Sequence, residues 1–412
     1  MNIYIKNHGD IVGDWGNFVT LVGNDVKYIQ DDDIDEYDFV EEYKGKGIIN
    51  FVGIIYENGD LFVSFPKNFN VVDEKNDVRL LFEVLKKYQK IKNKNTILVE
   101  SNNYEIQSSY PFQAFDNIYS YFKKYGLIVK TTKKINNNNV GKINWKTTIQ
   151  KTNFYLIDDN INIYPFYYNS NNYIPNFLNE CMIFCIDYTV NKFNFLINRE
   201  ATGMNYGNYN FLINKQETLR KLKEIRLNTF KDNERYLIDN LILFFTKFDA
   251  KGSFKLKHFY FHNVWEKMIE IYLNRYFIGM KGNILNFSEY PIDNNFFKKK
   301  VFYPNKSNSL HNIQPDYYYK TEKFQLIFDA KYKRRLSSID YKQIMYHILL
   351  EEHNMPENLE YKTYSALILP NNVDWQSVHF EMSEIFSKKH DDLIVSQVYM
   401  DISKVMRAFL GT

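Results

Sequence analysis

Two hydrophobic periods divide the chain. Residues 48–56 are β-branched and aromatic, Asn58-Gly59 supplies a tight hairpin turn, and 61–65 returns before Pro66 ends the run. From 73 to 92 the period lengthens: Val78, Leu81, Phe82, Leu85 and Tyr88 fall at three- and four-residue steps. That spacing predicts a helix, with Asp73 and Asp77 competing for its start. A second helix is predicted over 115–125, closed by Gly126. Strand-like runs at 127–130 and 143–149 flank an Asn-rich turn at 136–139, which together with the helix suggests a small winged-helix-like unit. A Tyr/Asn-rich connection covers 168–176, and helical patterns follow over 176–198 and 215–248, the latter led by Leu219, Leu222, Ile225 and Arg226. Asp249 to Ser253, with Gly252 inside, reads as a boundary.

Beyond it, 263–277 is an amphipathic helix carrying Trp265, Met268, Ile269, Tyr272, Leu273 and Tyr276 on one side. Gln314-Pro315-Asp316 leads into Tyr317-Tyr318-Tyr319, and a turn at 320–323 precedes the apolar run 324–328. That run passes directly into Asp329-Ala330-Lys331, and a helical pattern resumes over 339–350. The expected organisation is a mixed α+β region over 1–150, a largely helical connection over 151–250, and an α/β domain with a central mixed sheet over 251–412.

At 412 residues the chain is too long for one ordinary core, and 45% hydrophobic with 25% charged residues is a normal globular balance. Aromatics reach 17%, a level that A/T-rich codon usage explains and that a core can absorb. A net charge of +3 does not mark the whole chain as a nucleic-acid binder, so a DNA surface would be a local patch. The N-terminus carries no apolar signal segment and no stretch approaches a membrane span, so a cytoplasmic protein with no membrane partner is expected. Cys181 and Cys185, four apart on a predicted helix, are poorly placed for a disulfide and read as buried apolar residues. The eight histidines form no H-x-H or H-E-x-x-H pattern, and no P-loop or Gly-x-Ser-x-Gly string occurs.

The chemistry gathers near the end of the chain. Adjacent strands would bring Asp316 and Asp329 to one edge, and side-chain alternation places Lys331 on the same face as Asp329. Two carboxylates at one point repel each other unless a hard divalent cation lies between them. The expected metal ligands are therefore Asp316, Asp329 and the Ala330 carbonyl, with Glu266 sharing or tuning the ion, Mg²⁺ as the cofactor and Mn²⁺ as its substitute. Lys331 would orient a water or offset developing charge, and Gln343 would fix the lysine or a substrate oxygen. A Pro-Asp pair followed by acidic-x-Lys arises by chance in roughly one protein in ten. Its context, a buried strand before it and a helix after it, therefore carries the reading. Glu266 has two readings, since Asn263-x-x-Glu266 is also a capping-box spacing. Pro315-Asp316 also fits a turn, and Gln343 a solvated helix position. Lys333, Arg334 and Arg335 form a basic cluster suited to DNA phosphates, and Lys298 to Lys300 form another; such runs are also common on solvated faces.

Pro315-Asp316, Asp329-Ala330-Lys331 and Gln343 resemble the PD-(D/E)xK nuclease superfamily. Within it the chain resembles the LlaJI-type and McrC-like subunits of nucleotide-dependent restriction systems. Trp265-Glu266 ahead of the core, the hairpin from Gly53-Ile54-Ile55 to Phe65-Pro66-Lys67, and Gly141-Lys142-Ile143-Asn144-Trp145-Lys146 carry that narrower match. The resemblance implies a Mg²⁺-dependent endonuclease, acting in phage defence, that works with a separate McrB-like AAA+ GTPase. The N-terminal part would dock on that motor, and two nuclease centres would pair transiently to break both strands. One departure is visible: Tyr346 stands three after Gln343 and His347 four after it, where a Q-x-x-x-Y pattern has tyrosine. A non-catalytic DNA-binding or scaffold subunit and a stand-alone type II-like nuclease are the alternative readings. Loss of an acid or the lysine would mark the first, and absence of an adjacent AAA+ GTPase gene the second.

Overall fold

The computed structural model describes residues 3–10, 26–28, 47–57, 59–95, 106–108, 110–129, 131–138, 141–157, 160–173, 176–205, 207, 209–248, 254–354, 361–390 and 392–411. Asn58, Asn139 and the predicted boundary at 249–253 lie outside the described residues. The fold is mixed α/β, with several sheets and nine helices among the described residues. None of those helices is long and apolar enough to cross a membrane.

The chain separates into two compact units, residues 1–109 with 253–412, and residues 110–252. The segment expected as 1–150 is thus shared between both units. The reason lies in sheet pairing. In the first unit, β1 (Ile3–Asn7), β2 (Val52–Glu57), β3 (Asp60–Phe65) and β4 (Ile106–Ser108) join β5 (Phe254–His258), in the order β1-β3-β2-β5-β4. Strand β5 comes from beyond the second unit and inserts antiparallel beside β2, an association that local periodicity cannot reveal. Its close approach requires Gly53, because a Cβ there would run into the Leu256 carbonyl.

Helix α1 (Glu74–Asn95) covers this sheet with Val78, Leu81, Phe82 and Leu85 buried. The competition at its start is resolved in favour of Asp73, whose carboxylate accepts from the Asn76 backbone N–H at 3.2 Å. Asp77 instead reaches back to accept from the Val72 and Asp73 backbone N–H groups.

Helix α2 (Phe261–Tyr276) follows β5 and buries Trp265, Met268, Ile269, Tyr272 and Leu273. It begins two residues before the expected start, with Tyr260 at the cap, so Asn263 lies inside the first turn and does not form the cap of a capping box with Glu266. A second sheet runs β6 (Tyr317–Lys320), β7 (Phe324–Ala330), β8 (Lys362–Asn371), β9 (Trp375–Glu381) and β10 (Ile394–Asp401), in the order β6-β7-β8-β10-β9. The pairs β7–β8 and β8–β10 are parallel and the outer pairs antiparallel. Buried on both faces, β7 and β8 read as continuous apolar runs, as central parallel strands do. Helix α3 (Tyr341–Asn354) is the crossover between them, and α4 (Ile402–Leu410) follows β10. Trp265 donates its indole N–H to the Ile368 carbonyl at 3.3 Å, fixing α2 on this sheet. Lys87 of α1 donates to the Phe409 carbonyl of α4 at 2.6 Å, tying the two sheets into one unit.

The second unit is helical with two small sheets among its described residues. Helices span Phe112–Tyr125, Phe177–Lys192, Lys215–Leu227 and Asp232–Lys247. The expected helical region over 215–248 consists of two helices, stapled across the break by Arg226 on Asp239 at 2.7 Å. Phe184, Phe211, Phe244, Phe245 and Phe248 pack edge and face in its core, where much of the aromatic excess goes. Cys181 and Cys185 are buried free thiols, pushed well above the usual range by burial. The expected strand at 143–149 is instead the helix Trp145–Lys151, because the Asn144 side chain accepts from the Thr147 N–H and caps it. Among the described residues, 127–129 form no hairpin strand either, and Lys130 lies outside them: Thr131–Asn136 and Lys142–Ile143 both pair with Tyr168–Tyr173, giving a three-stranded sheet in place of a winged helix.

Candidate active site

Strands β6 and β7 pair antiparallel with Tyr317 opposite Phe328, so one further step sets Asp316 opposite Asp329. The structure joins them there. Asp316 accepts from the Ala330 backbone N–H at 3.0 Å, and Asp329 is 2% exposed. Burial, the Asp329 carboxylate and then Glu266 push Asp316 up to about 7.

Lys331 continues the sheet by one rung, its N–H donating to the Ile368 carbonyl at 2.8 Å. Its ammonium lies 2.7 Å from Asp329 and 2.9 Å from Asp340. Burial opposes the charge, but the two carboxylates outweigh it and hold the lysine above its ordinary range. Lys342 approaches the other Asp329 oxygen at 3.6 Å. Glu266 borders the acids from α2, with Lys299 at 3.3 Å from it and 4.0 Å from Asp316. The Tyr317 hydroxyl donates to the Glu266 carbonyl at 2.7 Å, locking helix to strand.

Asp316, Asp329, Lys331 and Glu266 are therefore brought together. Gln343 is not aimed at the lysine. Its amide donates to the Ile327 carbonyl at 2.7 Å inside the core, and its backbone N–H donates to Asp340 at 2.9 Å. Arg334 is engaged by Asp10 at 2.6 Å and by the His8 carbonyl, so its guanidinium faces protein. Lys333 and Arg335 are half-buried. Asp340 and Lys342 escaped the motif reading. Asp340-x-x-Gln343 has the spacing of a helix cap, which was the available signal for the first. Lys299 sits in a basic run that sequence alone does not separate from a solvated face.

No group of three or more His, Cys, Asp or Glu side chains that could hold a metal ion occurs among the described residues. A hard dication that keeps several waters needs only one or two carboxylates. The pair Asp316 and Asp329, with the Ala330 carbonyl, suits such an ion. One Asp329 oxygen is buried without a hydrogen bond, and Asp316 is held protonatable near neutrality by burial and by its acidic neighbours. A cation would relieve both costs.

Fold and site together define a mixed α/β protein whose central sheet ends in a half-buried acid–lysine centre. The chain belongs to the LlaJI restriction endonuclease family, whose family model matches residues 51–389. Among solved structures it is similar to a chain of the Thermococcus gammatolerans assembly described as McrB AAA+ hexamers with bound McrC. There the identity is 14% and the TM-score 0.36, over 99% of this chain and 98% of that one. It is also similar to a chain of the Thermococcus gammatolerans McrBC complex, at 13% identity and TM-score 0.25, over 65% of this chain and 86% of that one. No curated protein matches the chain.

Proposed function

We propose that this protein is the metal-dependent DNA endonuclease subunit of a nucleotide-dependent restriction system, with a PD-(D/E)xK centre in residues 251–412. The observation that carries the reading is the pair of half-buried Asp316 and buried Asp329, with Lys331 bridging Asp329 and Asp340. Asp316, Asp329 and the Ala330 carbonyl would hold Mg²⁺ or Mn²⁺, with Glu266 at the border. When bound, the ion would lower the pKa of a water and neutralise charge on the phosphodiester. Asp340 holds the Lys331 ammonium beside Asp329, where it can hydrogen-bond the attacking water and offset charge on the scissile phosphate. Lys299 and Lys342 border the same acids and are suited to the flanking phosphates, with Lys333 and Arg335 beyond them. Gln343 acts through Asp340 and the strand backbone, as a positioning residue.

Family membership supports a restriction setting in phage defence. A McrB-like AAA+ GTPase is the proposed motor partner, docking on the N-terminal region, with paired nuclease centres making the two cuts. The reading is tested by plasmid cleavage with Mg²⁺ or Mn²⁺, with and without a McrB-like AAA+ GTPase. Wild type should cut, and Asp329→Ala should lose at least about a hundredfold in rate, the order of losing one charge-stabilising group. Equal cutting by both would sink the mechanism; no cutting by either, at intact fold, would favour the scaffold reading.

A further inference from the structure

Strand β7 ends at Ala330, and the Lys331 N–H makes the last rung with β8. The next residues leave the sheet, yet the N-terminal sheet takes up their polar groups. The Tyr332 hydroxyl accepts from the Lys67 backbone N–H at 3.0 Å and lies 3.2 Å from the His8 Nδ1. Burial holds His8 well below its usual range, hence neutral. The Tyr332 carbonyl lies 3.5 Å from the Lys67 ammonium, which also sits 5.2 Å over the Tyr332 ring. Asn68 adopts φ 60° and donates its amide to two carbonyls, Arg334 at 3.0 Å and Pro370 of β8 at 3.1 Å. One side chain thus spans the exits of both parallel strands. Arg334 returns the contact, its guanidinium 2.6 Å from Asp10 and 3.2 Å from the His8 carbonyl.

We propose that the N-terminal sheet is a positioning element of the acid–lysine site: the 66–68 turn, His8 and Asp10 clasp Tyr332 and Arg334 and so set Lys331 between Asp329 and Asp340. Lys331 has a long flexible stem, and its ammonium stays between two acids only if the backbone that carries it is fixed. On one side that backbone is a sheet rung. On the other it is the clasp. Tyr332 and Arg334 act through Lys331. A partner that docks on the N-terminal sheet and shifts β1 or the 66–68 turn would move the lysine without reaching the site.

The effect on rate rests on the nuclease reading, but the positioning is measurable without activity. Full-length wild type, Tyr332→Phe and Asp10→Asn are pulse-labelled with N-hydroxysuccinimidyl acetate, and each lysine is quantified by mass spectrometry. Tyr332→Phe keeps the ring against Phe261, so packing is preserved. Lys331 labelling should rise roughly fivefold in both variants, the population shift that one lost hydrogen bond allows, with Lys320 and Lys362 unchanged. Unchanged Lys331 labelling in both variants overturns the proposal, as does a rise shared by lysines across the unit. In the Mn²⁺ cleavage assay, kcat should fall roughly tenfold to a hundredfold, with KM for DNA and Mn²⁺ affinity retained. Normal kcat in a variant whose Lys331 is released also overturns it. A wild-type chain that never cuts counts against the nuclease reading alone, and the labelling still decides the clasp.

Discussion

Lys331 is held by two acids, and Asp329 by two lysines, so the centre is a small charge network with each member fixed by another. Removing one member has a sign that can be worked out. Asp329→Ala takes away an acid that repels Asp316 while leaving Lys331 its Asp340 partner. The variant also loses the Asp329 ion pairs with Lys331 and Lys342, which oppose that gain, so the metal-free melting temperature should move little while Mn²⁺ binding is lost; calorimetry in both senses checks this. Asp340→Asn keeps the shape of the cap on α3 but weakens the hold on Lys331. Cleavage should fall while Mn²⁺ affinity stays within about threefold, because Asp340 is outside the metal set. A parallel loss of metal binding would place Asp340 among the ligands instead. The acids and the lysine were legible in the sequence because their spacing of two follows a buried apolar run. Asp340 and Lys342 were not, since a helix-cap acid and a surface lysine look alike wherever they occur.

At the scale of elements, β7 and α3 stand close to their expected places because long periodic or wholly apolar runs leave little choice. The helix Trp145–Lys151 defied its β-branched Thr147, Thr148 and Ile149, and one Asn144 cap was enough to decide it. Insertion of β5 between β2 and β4 could not be read from sequence at all. Its partners lie some two hundred and one hundred and fifty residues away along the chain, and only the absence of a side chain at Gly53 records it. Gly53→Ala should therefore cost about 2 kcal/mol or more, as overpacking against a fixed backbone does, lowering the denaturation midpoint. A neutral result would mean that β5 can shift away from β2.

For the whole molecule, the first unit is a discontinuous assembly in which both ends of the chain share one core. The clasp contacts span 265 to 326 residues of sequence, which is why the motif could be seen and its support could not. Acid should loosen this unit in a defined window. Burial holds His258 at about 3, below the 6.5 of an exposed histidine, with Lys92 and His262 adding to the shift. Below pH 6.5 the unfolded chain takes up a proton that the folded chain refuses, so stability is full above 6.5 and falls as pH drops toward 3. His8 adds in the same direction. His258→Leu should flatten the stability-versus-pH curve between 6.5 and 4 in chemical denaturation; an unchanged slope would show that His258 is protonated in the fold.

Anomalous diffraction from Mn²⁺-soaked crystals of wild type and Asp329→Ala bears most directly on the proposed nuclease centre. A peak between Asp316 and Asp329, near the Ala330 carbonyl and absent from the variant, is the expected result. No peak in wild type, with Lys331 still bridging Asp329 and Asp340, would contradict a metal-dependent nuclease and leave a protein with the family's fold but without its chemistry.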